Sequence, residues 1–250
     1  MRRDEGVFVA EGAKLVTAAF DAGAQVEGVY VAADALGVPA LGPVLERAGA
    51  AGVRVHELAP GVVERVADTV TPQPVLAVVR TPEADLGRLA GAGFVVVCVD
   101  VRDPGNTGAV IRLADAAGAD GVVCCEGTAD PFNPKTVRAS AGSVLHLPVV
   151  VGGDAVATLA TLGEAGLQRV AAVVRGGTPY TELDLGGRVA LVLGNEAAGL
   201  SDAVAGQVDA GVTIPMGGRT ESLNVAMAAA VLCFEVRRHR SNMHAMRGPQ

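Results

Sequence analysis

Five polar side chains stand out in this sequence because each closely follows a strongly apolar run or sits inside one: Asn106 and Arg112, then Glu196, then Ser222 and Asn224. A guanidinium at position 112 offers a planar fork for a phosphate, or a fixed cation for negative charge developing on an oxygen. Arg112 is flanked by Ala109, Val110, Ile111, Leu113 and Ala114, so a buried structural ion pair is the competing account. Asn195-Glu196 follows Leu191-Val-Leu-Gly194. The glycine lets backbone approach a ligand closely, while Glu196 also suits the acidic first turn of a helix. Ser222 stands where a helix N-cap is expected after Ile214-Pro-Met-Gly-Gly218, with Asn224 in the first turn. Backbone N–H groups at such a helix start can hold a polar ligand or simply be capped.

These residues need a scaffold that brings three chain segments to one edge. From Phe94 onward, buried-strand runs alternate with helical patterns, which indicates a mostly parallel sheet with helices on both faces. Strands are expected at Phe94–Val101, Gly121–Cys125, His146–Val151, Arg169–Arg175, Val189–Leu193 and Gly211–Met216. Ligands in such open sheets bind outside the carboxyl ends of the strands. Asp103-Pro-Gly-Asn-Thr-Gly108, the Gly194 loop and the Gly217 loop all leave strand ends there. Residues 1–80 read as a separate small α/β unit, 81–93 as a polar linker and 94–240 as the main domain, with 241–250 a basic, fraying tail.

Composition narrows the chemistry. The formal net charge is −7 and only Lys14 and Lys135 are lysines, so a surface coated with phosphate-binding cations is excluded and a few placed arginines must suffice. Five Phe, two Tyr and no Trp leave no aromatic platform for stacking bases. Cys98, Cys124, Cys125 and Cys233 lie in apolar runs far from His56, His146, His239 and His244. Neither a zinc site nor a disulfide framework is expected, and a reducing cytoplasm fits. No apolar run is long enough for a membrane span.

Taken in order, Asp103-Pro-Gly-Asn-Thr-Gly-Ala-Val-Ile-Arg112, Leu193-Gly-Asn-Glu196 with Gly199-Leu200, and Ile214-Pro-Met216 with Ser222-Leu-Asn224 closely resemble the three motifs of the SpoU/TrmH-type RNA ribose 2′-O-methyltransferases of the SPOUT superfamily. Phe8-Val-Ala-Glu-Gly12 and the unit that follows it resemble the L30-like substrate-binding domain that often precedes the catalytic domain. Lys135-Thr-Val-Arg-Ala-Ser-Ala-Gly-Ser143 looks like the family's connecting segment.

The resemblance implies a C-terminal trefoil knot, a homodimer with active sites completed near the subunit interface, no metal, and S-adenosylmethionine as cofactor. The cofactor pocket would fall on Val173, Val174, Gly176, Leu193, Gly194, Ile214, Met216, Ser222 and Leu223. Arg112 would be the central catalytic residue, with Asn106, Glu196, Ser222 and Asn224 holding loops, ribose and cofactor. Arg112, Lys135 and Arg138 would meet RNA, with Arg2, Arg3 and the basic tail as further candidates. Ribosomal RNA is favoured over transfer RNA because of the L30-like unit. Two other classes compete: a non-catalytic RNA-binding protein of ribosome assembly on the same fold, and a nucleotide-dependent oxidoreductase. Retention of all five polar residues opposes the first, and the missing Gly-x-Gly-x-x-Gly turn opposes the second.

Overall fold

A computed structural model describes residues 5–66 and 71–247, with side chains described as far as Asn242 apart from that of Glu64. Arg2, Arg3 and the side chain of Arg247 therefore lie outside the described residues. The chain forms β1 Val7–Glu11, α1 Ala13–Asp21, β2 Val26–Ala32, α2 Gly42–Ala50, β3 Val55–Leu58, α3 Val62–Val66 and β4 Val75–Arg80. After the linker come β5 Phe94–Cys98, α4 Pro104–Ala116, β6 Gly121–Cys124, α5 Pro134–Ala139, β7 Val149–Val151 and α6 Ala155–Glu164. The last part holds β8 Gln168–Ala172, β9 Thr178–Pro179, β10 Val189–Leu193, α7 Asp202–Ala205, β11 Ala210–Thr213 and α8 Val225–Arg247.

The first strands make a four-stranded sheet, β1-β4-β2-β3, and the later ones a seven-stranded sheet, β7-β6-β5-β10-β8-β11-β9. Every pairing in the larger sheet is parallel. Its central strands are apolar at every position because both faces are covered. Phe94, Val96, Cys98, Leu191 and Leu193 pack with Val110 and Ile111 of α4 and with Leu232 and Val236 of α8. Val95, Val97, Ala190 and Val192 point the other way, onto Leu159 and Leu162 of α6. Each such fully buried Val or Leu is worth about 1.5–3 kcal/mol of transfer free energy. In the small sheet only one face builds this core, so Val29 and Val31 alternate with the less buried Tyr30.

Contacts that join the two layers include a ring pair and an ion pair. The Phe8 and Phe132 rings lie 5.3 Å apart. The Arg138 guanidinium donates to Glu11 at 3.2 Å, and that carboxylate is only 5% exposed.

Three expectations need correcting. Asp103–Gly108 is not a loop: Asp103 accepts from the Asn106 N–H at 2.8 Å, Pro104 starts α4, and 104–108 are its first residues. Asp as cap and Pro at the first helical position favour that start. Ser222 is not the cap of the last helix. Asn224 immediately precedes Val225, and its Oδ1 accepts from the Ala226 N–H at 2.9 Å. Finally, α8 runs to Arg247, past the boundary at 240 expected for the main domain. The sequence offers no glycine or proline stop before Gly248-Pro249.

Candidate functional site

The carboxyl ends of β5 and β10 lie side by side, because those strands pair in register from Val189↔Phe94 to Leu193↔Cys98. The segments leaving them therefore emerge together, and the turn into α8 closes on both. The Asn106 amide Nδ2 donates to Glu196 Oε1 at 2.7 Å, and its Oδ1 accepts from Asn224 Nδ2 at 3.1 Å. One chain of hydrogen bonds, Glu196–Asn106–Asn224, thus links three segments separated by 90 and 118 positions from Asn106. Asn224 spends its own oxygen on the start of α8, so the cap fixes the direction in which its amide donates. Asn106 sits in the first turn of α4, so its position is set by the Asp103 cap. The Asn106 N–H also holds the Asp103 carboxyl below the ordinary range, with burial opposing and the Lys135 ammonium, 3.6 Å away, adding to the effect.

Beside this chain lies a cavity of about 320 Å³ between the ends of β8, β10 and β11 and the start of α8. Its wall includes Val173, Val174, Leu193, Gly194, Ile214 and Met216 together with Ser222 and Leu223. Gly176, named with them from the sequence, is not among the lining residues. The wall is mostly apolar, and Glu196 and Glu221 bring carboxylates to it. A Cβ on Gly194 would lie 2.9 Å from the Gly199 backbone, so only glycine lets this loop fold back on itself. Asn195 and Gly199 exchange both backbone hydrogen bonds across that fold, at 3.1 and 2.9 Å.

Arg112 occupies a different place. Its side chain is exposed on α4, outside the cavity wall, and among the described residues no hydrogen bond or ion pair engages it. The buried ion pair weighed for it is absent. Two other cations have partners: Arg138 is tied to Glu11, and Lys135 lies beside Asp103. Sequence reasoning passed over Asp100 and Arg102. Arg102 makes a two-pronged pair with Asp100 at 2.8 and 3.0 Å, and Asp100 also accepts from Asn195. The available signal was an acidic residue at the end of an apolar run. Its left-handed backbone, φ 57°, could not be read from a non-glycine residue.

The four cysteines are free and buried in the core. Burial pushes Cys233 to about 12 and Cys125 to about 11, so both stay protonated at neutral pH. Among the described residues no group of three or more His, Cys, Asp or Glu could hold a metal ion, and no helix is long and apolar enough to cross a membrane.

Comparison with known proteins gives this geometry a context. Residues 93–234 match the SpoU rRNA Methylase family, and residues 1–77 match the MRM3-like substrate binding domain. The chain is 40% identical over 186 residues to the 23S rRNA (guanosine(2553)-2′-O)-methyltransferase RlmP of Bacillus subtilis (strain 168), covering 74% of this chain and 73% of that protein. It is 38% identical over 176 residues to the 23S rRNA (uridine(2479)-2′-O)-methyltransferase of Streptomyces viridochromogenes, covering 68% of this chain and 61% of that protein. Among solved structures, the AdoMet-bound rRNA methyltransferase from Sinorhizobium meliloti superposes with a TM-score of 0.82 at 35% identity, over 95% of this chain and 89% of that one. The SpoU methyltransferase AviRb from Streptomyces viridochromogenes in complex with AdoMet gives 0.83 at 30% identity, over 96% and 92%.

Proposed function

Because the chain belongs to the SpoU rRNA Methylase family, we propose that it is an S-adenosylmethionine-dependent RNA 2′-O-ribose methyltransferase acting on ribosomal RNA of the 23S type. The observation that carries this reading is the Glu196–Asn106–Asn224 chain laid along the rim of an apolar cavity. The cavity fits the cofactor. Its volume of about 320 Å³ falls in the range of small-molecule sites. Val173, Leu193, Ile214 and Leu223 offer apolar contact, and the Gly194 fold leaves backbone where a side chain would intrude. When bound, S-adenosylmethionine supplies an electrophilic methyl group on its sulfonium.

The protein's own residues have three tasks. Gly194 and the loops beside it hold the cofactor in a pocket with few polar groups. Asn106 keeps Glu196 and Asn224 at fixed positions, so the ribose meets a preorganised set of donors and acceptors. Arg112 binds the phosphate of the target nucleotide and stabilises the charge developing on the 2′-oxygen as it attacks. An arginine is a permanent cation, suited to stabilising that oxyanion.

Arg112 lies outside the cavity wall of its own chain, and in this reading a second copy of the chain completes the site. Met227 and Phe234, two turns apart on α8, are 62% and 46% exposed. A homodimer covering this stripe and the neighbouring face of α4 buries apolar surface and brings Arg112 to the site. The four-stranded unit, residues 1–80, presents the RNA, with 81–93 as the connector and 94–240 carrying out methyl transfer in the cytoplasm. The reading includes the family's C-terminal knot, in the region where α8 packs back against α4 and β10. With a net charge of −7, collection of RNA falls to local cations such as Arg102, Arg112 and Lys135.

Calorimetry tests the cofactor. Saturable binding of S-adenosylmethionine and none of a nicotinamide dinucleotide is expected; the reverse would overturn the reading. Methyl transfer that survives Arg112→Ala unchanged would remove Arg112 from the mechanism while leaving the cofactor site intact.

A further inference from the structure

Asp100, two residues past the end of β5, adopts a conformation that most side chains avoid, with φ 57°. Asp and Asn tolerate the left-handed region better than other non-glycine residues, at some cost. A non-glycine residue is held there only when its surroundings fix it. What surrounds Asp100 is specific. Arg102 Nε donates to its Oδ1 at 2.8 Å and Arg102 Nη2 to its Oδ2 at 3.0 Å. The Asn195 amide Nδ2 donates to the Asp100 carbonyl at 2.9 Å and to its Oδ2 at 3.2 Å. The other end of the same Asn195 amide, Oδ1, accepts from the Ala197 and Ala198 N–H groups, both at 3.0 Å. Asn195 is thereby clamped at both ends. Its donors are fixed by Asp100, and its acceptor shapes the turn carrying Glu196.

We propose that Asp100 is a positioning residue for methyl transfer, fixing the Asn195 amide and through it the Gly194–Gly199 wall of the cavity and the Glu196 carboxylate. The inference rests on the cofactor reading of that cavity, and it adds a tie independent of the Glu196–Asn106–Asn224 chain. The turn is tied to Asp100 through Asn195 and to Asn106 through Glu196, so losing either side chain weakens one of two side-chain ties while the Asp100 carbonyl still accepts from Asn195. Asp100 is not itself part of the cavity wall and makes no hydrogen bond to Asn106, so it acts through Asn195, which does line the cavity.

Two substitutions separate the carboxylate from the backbone conformation. Asp100→Gly adopts positive φ freely and removes the carboxylate. Asp100→Asn keeps a side chain that tolerates this region and retains an oxygen for the Asn195 amide, while its NH2 replaces the oxygen that accepts from Arg102 Nε, so the charge and that one hydrogen bond are lost. Three readouts are taken on the full chain: calorimetric affinity for S-adenosylmethionine, kcat and KM for RNA, and hydrogen exchange at the Ala197 and Ala198 amides without cofactor. For Asp100→Gly the expected result is cofactor affinity weakened about tenfold, roughly the worth of one charge-assisted hydrogen bond. A lower kcat, a near-constant KM for RNA and faster exchange at both amides are expected with it. Asp100→Asn should stay within about threefold of wild type in affinity and keep both amides protected.

Asp100→Gly with unchanged exchange and unchanged affinity would overturn the proposal. So would equal losses in both variants that simply follow a fall in melting temperature. A wild-type protein that binds no S-adenosylmethionine retires the cofactor reading instead, and the exchange measurement still decides whether Asp100 fixes the turn.

Discussion

Asn106→Asp is the most informative single change, because it replaces one atom in the hydrogen-bond chain and nothing in the packing. The Asn106 Nδ2 that donates to Glu196 at 2.7 Å becomes an oxygen facing a carboxylate. A hydrogen bond to a charged group is worth about 1.5–3 kcal/mol. The partners are partly solvated, so solvent screening brings the expected loss nearer roughly 1–2 kcal/mol. If the whole loss falls on the transition state, kcat/KM drops about 5- to 30-fold. Stability should fall by less than that. Residue 106 lies in the first turn of α4, where a negative charge gains about 0.3–1 kcal/mol from the helix dipole, which offsets part of the lost hydrogen bond. The variant is therefore expected to melt slightly below the wild-type temperature, with activity reduced by more than the melting curve explains. Two adjacent carboxylates also raise the proton affinity of one of them, so the deficit should shrink as the pH is lowered toward 5. Initial rates of methyl transfer across pH, paired with a melting curve, measure both effects. A variant with wild-type kcat/KM and an intact melting transition would refute the idea that this chain organises the site.

Other consequences can be checked with ordinary tools. Gly108 sits where α4 crosses α5, and a Cβ there would lie 2.4 Å from the Thr136 carbonyl oxygen. Gly108→Ala should cost roughly 1–3 kcal/mol or more by overpacking, seen as a clear drop in melting temperature. Acid should destabilise the fold with a defined sign. Asp209, held down by Arg169, and Glu235, held down by Arg238, join Asp103 in having carboxyls depressed below their ordinary values. Their contribution is fully present above the unfolded carboxylate range, about pH 4, and is lost as pH falls through the depressed values. Melting temperature should accordingly hold steady near neutrality and decline below about pH 4. Phe234→Glu places a charge on the apolar stripe of α8; on the dimer proposed above, sedimentation should report a dimeric wild type and a monomeric variant at the same concentration, with methyl transfer lost. Wild-type activity from a monomeric Phe234→Glu protein would dismiss the shared-site account.

Much of the scaffold could be read from the chain because period and composition agree in it. Val189–Leu193 is apolar at every position and forms the strand expected at those residues. The alternation of Val29 and Val31 with Tyr30 likewise marks a sheet with one buried face. What sequence could not give was the beginning of two helices and the fate of single charges. Asp103 and Asn224 outcompeted the expected starts because each finds a free backbone N–H two or three residues on, a matter of local geometry. Arg112 looked buried because its sequence neighbours are apolar. On a helix, however, those neighbours turn to other faces, and Val110 and Ile111 take the core positions. Arg138 looked like a free cation until the fold put Glu11 beside it, 127 positions away.

Transfer of a labelled methyl group from S-adenosylmethionine to ribosomal RNA, followed by mapping of the modified nucleotide, tests the central claim most directly. The substrate is RNA from a strain lacking this protein. The expected result is one ribose 2′-O-methyl group at a defined nucleotide of the large-subunit RNA, abolished by Arg112→Ala. Label on a base, or no label while the protein binds the cofactor, would contradict the account.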